Sequence, residues 1–69
     1  MEKKVYIEGM MCKHCASSVQ KALEGVDGVR SAEVYLNDKK AIINLEKEVE
    51  NSIIEKAIVD EGYTVTGIE

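Results

Sequence analysis

The spacing of apolar residues switches repeatedly between every second position and every third or fourth, and this constrains the fold more than any other feature of the chain. Near the start, Val5 and Ile7 alternate with Tyr6 and Glu8, the period of a half-buried strand. Ala16, Val19, Leu23 and Val26 then recur at helical spacing, predicting an amphipathic helix over about residues 14–25. Gly25 and the Val-Asp-Gly that follows are stop and turn signals. Ala32, Val34 and Leu36 alternate against Glu33 and Tyr35, residues 37–40 (Asn-Asp-Lys-Lys) read as a turn, and Ala41, Ile43 and Leu45 alternate against Ile42 and Asn44. Together they predict a hairpin. Ile53, Ile54, Ala57 and Ile58 make one helical stripe. Ser52 and Glu55 match a capping box, with Glu50 or Asn51 as an earlier alternative start, and Gly62 stands where a left-handed residue ends a helix. Residues 63–69 close the chain as a short strand.

The order strand, helix, strand, strand, helix, strand suits an α+β two-layer sandwich, the ferredoxin-like βαββαβ arrangement. Right-handed crossovers put both helices on one face of an antiparallel sheet of order 4-1-3-2. A single domain over residues 1–69 is expected, and because Trp and Phe are absent its core must be aliphatic. The fourth strand then lies antiparallel beside the first. Tyr63 should therefore approach residues 9–12, with the 37–40 turn at the same end of the sheet.

Net charge is −4, and residues 36–69 carry eight acids against four bases. Without a clustered basic face the chain does not suit nucleic acid, although a basic protein partner remains open. The first ten residues lack the apolar run of a secretory signal, and no segment approaches the length of a membrane span. A cysteine pair in such a chain points to metal binding or catalysis in a reducing, cytoplasmic compartment.

That pair lies in Gly-Met-Met-Cys-Lys-His-Cys, residues 9–15, on a loop entering a helix. It could be a metal clamp, a redox couple or half of a zinc site. Helix N-termini expose amide N–H groups and favour negative charge, and Lys13 adds a cation, so Cys12 and Cys15 are placed to act as thiolates. A thioredoxin-like role wants a larger fold with an aromatic and a proline near the cysteines; the chain has neither Trp nor Pro. A closed zinc site wants four ligands, and the chain has two Cys and one His. Two thiolates alone suit a soft monovalent ion such as Cu(I). An incompletely ligated site can also admit an incoming thiolate, which suits a carrier.

The motif resembles the Gly-Met-x-Cys-x-x-Cys signature of heavy-metal-associated domains, and the element order extends the resemblance over the whole chain. In that family the two cysteines, here Cys12 and Cys15, bind the metal. His14 and the Glu-Gly-Tyr at 61–63 look most like bacterial copper chaperones of the CopZ type; eukaryotic carriers usually have lysine where Tyr63 stands. Zinc-selective modules often place an aspartate before the first cysteine, whereas Met11 stands here. The mercury carrier of this fold is exported with a signal peptide.

The resemblance implies a non-enzymatic copper chaperone that hands Cu(I) to a copper-transporting P-type ATPase, or to a copper-responsive repressor. Ag(I) or Zn(II) could bind in vitro. A monomer is expected without metal and a copper-bridged homodimer at high loading. Met10, matching the family's buried methionine, is read as core that holds the loop, and Met11 as an exposed docking contact or transient ligand. His14 is read as lying beside the site, with ligation the lesser role. Tyr63 is read as shielding the metal, its hydroxyl near a thiolate. Tyr6 and Tyr35 are placed on the far sheet face, and Lys13 and Lys21 near the metal end. Two alternatives stay open: a metal-binding module of a copper-transporting ATPase, against which Met1 and the lack of linker residues argue weakly, and a thiol-disulfide redox protein.

Overall fold

In the computed structural model, which describes residues 1–10 and 12–69, strand β1 (Glu2–Glu8) runs through the interior of a four-stranded antiparallel sheet. It is followed by α1 (Lys13–Glu24), β2 (Val29–Tyr35), β3 (Lys40–Leu45), α2 (Asn51–Asp60) and β4 (Thr64–Ile68). The sheet order β2-β3-β1-β4 is the expected 4-1-3-2 seen from the other edge. Helix α1 packs on β2, α2 on β4, and the helices on each other. This is the ferredoxin-like sandwich, its helices together on one face.

Strand alternation sets the core. Val5, Ile7, Ala32, Ala41, Ile43 and Leu45 point toward the helices and are buried, meeting Val19 and Leu23 of α1 and Ile54 and Ile58 of α2. On the opposite face the Tyr6 hydroxyl donates to Glu69 at 3.0 Å, and the Tyr35 hydroxyl donates to Glu33.

Three local features differ from the sequence pattern. Ile53 is 48% exposed, while Ile54 and Ile58, four residues apart, are fully buried. The stripe is therefore one residue narrower than four apolar side chains suggest, since Ile53 lies about 100° round the helix from Ile54. Helix α2 starts at Asn51 with Glu50 as its N-cap, the earlier of the two starts; Ser52 is already helical and its hydroxyl donates to the Glu50 carboxylate at 3.4 Å. Lys3 anchors this start to β1 by donating to the Val49 carbonyl at 3.0 Å and Asn51 Oδ1 at 2.6 Å. Finally, the β1–β4 register slips between Tyr6, which faces Gly67, and Ile7, which faces Val65. A glycine inside a short strand is the usual sign of such an irregularity.

The turn after β2 sits where topology places it. Ile7 N–H donates to the Lys39 carbonyl at 2.9 Å, tying this turn to the end of β1. Among the described residues, no helix is long and apolar enough to cross a membrane.

Candidate metal centre

The spacing of the two cysteines takes its meaning from where α1 begins. Cys12 is the N-cap, in extended backbone (φ −156°, ψ 169°), and its carbonyl accepts the first helical bond from Ala16 N–H at 3.1 Å. Cys15 is then the third helical residue. Side chains at the N-cap and at this third position come together at the open helix end, as in a capping box, where each bonds the other residue's backbone N–H. Here two sulfurs occupy the pair of positions. They lie 3.5 Å apart, well beyond the ~2.05 Å of a disulfide. Cys12 is exposed and Cys15 half-buried. Among the described residues, no group of three or more His, Cys, Asp or Glu side chains is placed to hold one ion. The site offers a metal two sulfurs and an approach from solvent.

Tyr63 closes the other side of the loop. Thr64 pairs with Glu8, so the residue before β4 lies against the residue after β1. The Tyr63 phenol is pushed up to about 12, first by hydrogen bonding toward the Cys15 sulfur, then by partial burial and the nearby sulfur charges. Tyr63 is held in place by the end of α2. Gly62 N–H donates to the Val59 carbonyl at 2.9 Å and Tyr63 N–H to the Ile58 carbonyl at 3.3 Å, with Gly62 at φ +94°. These are the paired bonds of a Schellman cap, so Glu-Gly-Tyr is a helix stop that delivers an aromatic side chain toward the cysteine pair.

Met10 is buried, 7% exposed, and belongs to the main core. His14, the second helical residue, is exposed and stands beside the sulfurs in sequence without joining them in a three-ligand group. Lys13 is exposed at the start of α1. Lys21 is in the last turn of that helix, about 13 Å along the axis from Cys12, so its expected place near the metal end is corrected. The reading of Met11 lies outside the described residues. Sequence reasoning counted Gly9 in the motif but gave it no role of its own. It adopts φ +100°, and a Cβ there would come 3.4 Å from Tyr63 Cδ1. Its position immediately before a buried methionine was the available signal.

Fold and site together define a small α+β domain with two thiols at an exposed helix start. The sequence profile of the heavy-metal-associated domain matches residues 4–64, and the chain belongs to that family. Among curated relatives it is 43% identical over 60 residues to the copper chaperone CopZ of Staphylococcus aureus (strain MRSA252), covering 86% of this chain and 88% of that protein. It is 51% identical over 59 residues to a mercuric reductase of Acidithiobacillus ferrooxidans, covering 86% of this chain but spanning 11% of that protein's length. Among solved structures, a CopZ metallochaperone superposes with a TM-score of 0.89 at 37% identity, covering 96% of this chain and all of the other (100%). A copper-binding domain from HMA7, a P-type ATPase, superposes with a TM-score of 0.86 at 33% identity, covering 100% and 99% of the two chains.

Proposed function

We propose that this chain is a cytoplasmic Cu(I) carrier that holds the ion between Cys12 and Cys15 and passes it on by thiolate exchange. The observation that carries this reading is the pair of sulfurs 3.5 Å apart on an exposed helix start, with no third Cys, His, Asp or Glu grouped with them among the described residues. Soft thiolate ligands select Cu(I), and so small a ligand set leaves room for an incoming sulfur. The likeness to a CopZ chaperone over most of both chains supports the same reading.

The two sulfurs are not equivalent. Cys12 is exposed and meets a partner first, while Cys15 sits deeper, on the side where its sulfur raises the Tyr63 phenol. A partner thiolate adds to the ion on the Cys12 side, a three-sulfur intermediate forms, and one original sulfur then leaves as thiolate. Copper stays Cu(I) throughout, and each departing sulfur is replaced before the ion is exposed. The hydroxyl of Tyr63 stabilises negative charge on Cys15 as that sulfur departs. Met10 fixes the loop from below, and His14 modulates the site from beside it.

The recipient is a copper-transporting P-type ATPase carrying its own cysteine pair; a copper-responsive repressor is a second recipient of the same chemistry. Two copies can share Cu(I) face to face at high loading.

One observation favours a second reading. The likeness to mercuric reductase suits Hg(II), another soft ion content with two sulfurs, and would make this chain a metal-gathering domain for such an enzyme. A competition titration of the fully reduced protein against a chromophoric Cu(I) chelator, with Cys12→Ser and Cys15→Ser alongside and a parallel Hg(II) arm, tests both. Stoichiometric Cu(I) uptake lost in both variants is expected. Failure to compete for Cu(I) while retaining Hg(II) would overturn the copper reading in favour of mercury.

A further inference from the structure

We infer that Gly9 and Gly62 are positioning residues of the metal site, acting through Tyr63: their left-handed backbones set the tyrosine ring against the turn that leads to the cysteines, on the Cys15 side of the site. This rests on the carrier reading only for its consequence; the geometry stands without a metal. Both glycines adopt a φ that L-residues rarely tolerate, +100° at Gly9 and +94° at Gly62.

They flank the tyrosine from different elements. Gly62 turns the chain out of α2, so that Tyr63 N–H can close the cap on the Ile58 carbonyl. The surroundings of Gly62 are open, with nothing within 4 Å of a Cβ built there, so space does not call for glycine at this position. Its backbone conformation does. Gly9 turns the chain out of β1, sending Met10 into the core ahead of Cys12, the N-cap of α1. The Tyr63 ring lies against Gly9, where a Cβ would touch Cδ1 at 3.4 Å. Two turns at matched ladder positions, beside Glu8 and Thr64, thus fix the two sides of one contact.

The test separates handedness from bulk. Chains of this length are within reach of chemical synthesis, so Gly9→Ala and Gly62→Ala can each be made with L-alanine and with D-alanine, which favours positive φ. The first readout is the Tyr63 Cζ chemical shift in the metal-free reduced protein at neutral pH, which reports on hydrogen bonding of the hydroxyl. Cys15→Ser gives the reference for the altered acceptor. Each L-alanine variant is expected to move Cζ away from the wild-type value, and each D-alanine variant to restore it. The second readout is the rate of Cu(I) transfer to a chelator, expected to change by about tenfold with L-alanine, the size of one hydrogen bond, and to return with D-alanine. A wild-type shift in the folded L-alanine proteins overturns the inference, as does an equal shift for both epimers. Should the wild type bind no Cu(I), the carrier reading falls, and the Cζ result still decides the role of the glycines. An L-alanine variant that does not fold, rescued by its D-alanine counterpart to wild-type Cζ, supports it.

Discussion

Met10→Ala should separate an anchor from a ligand. Met10 is 7% exposed and packs in the core directly before the cysteine loop, so nearly the whole side chain counts as buried. Truncating a buried methionine to alanine costs roughly 2–5 kcal/mol. Met10 follows the end of β1 and keeps a little exposure, so a cost at the low end of that range, about 2–3 kcal/mol, is expected. For a domain this small, roughly 4–8 °C per kcal/mol, that is a fall in Tm of roughly 10–20 °C. Urea unfolding of the metal-free protein should show a lower midpoint with the slope unchanged. Met10→Leu, which preserves volume, should recover most of the loss and take up Cu(I) as the wild type does. Loss of Cu(I) uptake in a folded Met10→Leu protein would make the thioether a ligand. A cost under about 0.5 kcal/mol for Met10→Ala would refute the anchor reasoning itself.

Other substitutions probe the parts around it. Ile54→Ala should cost roughly 2–5 kcal/mol and its exposed neighbour Ile53→Ala within about 0.5 kcal/mol, measured by denaturant unfolding; similar costs would mean the register of α2 is wrong. Lys39 has φ +54° in the turn between β2 and β3, so Lys39→Gly should raise stability by up to about 1 kcal/mol, the left-handed cost less the entropy glycine adds to the unfolded chain. The Tyr63 phenol should titrate near 12 by NMR, and Cys15→Ser should bring it down toward the usual ~10. Because the folded value is raised, the stabilisation involved is fully present below the ordinary phenol pKa and lost as pH rises through about 12.

Much of this was legible because two periodicities and one spacing carry it. Val5 with Ile7 and Ala41 with Ile43 read as strands because side chains alternate faces there, and Val19 with Leu23 as a helix because i and i+4 share one. The approach of Tyr63 to the loop followed from topology alone. The misreadings were local competitions. Ile53 is as apolar as Ile54, and composition does not say which of two adjacent isoleucines meets the sheet. Ser52 and Glu55 spelled a capping box, yet Lys3 holds Val49 and Asn51 and so fixes the start of α2 earlier, through a contact forty-eight residues away. Lys21 reads from the sequence as near the metal end, whereas the length of α1 carries it away from the sulfurs.

The cysteine spacing has a cost that the metal-free protein should reveal. An N-cap residue normally offers an oxygen to the N–H groups of the first turn, a contribution of about 1 kcal/mol. Cys12 holds that position and its side chain makes no capping hydrogen bond among the described residues. The extended backbone of Cys12 is already that of a good cap, so a serine hydroxyl there could accept from the N–H of Cys15 without rearrangement. Cys12→Ser should therefore lose Cu(I) uptake and yet unfold at higher urea than the metal-free wild type, a gain of about 0.5–1 kcal/mol. Saturating Cu(I) should reverse the order, because only the wild type gains from binding to the folded state. A metal-free Cys12→Ser protein less stable than the wild type would mean that Cys12 is not at the cap, and that the pairing of N-cap and third helical residue does not explain why these cysteines stand three apart.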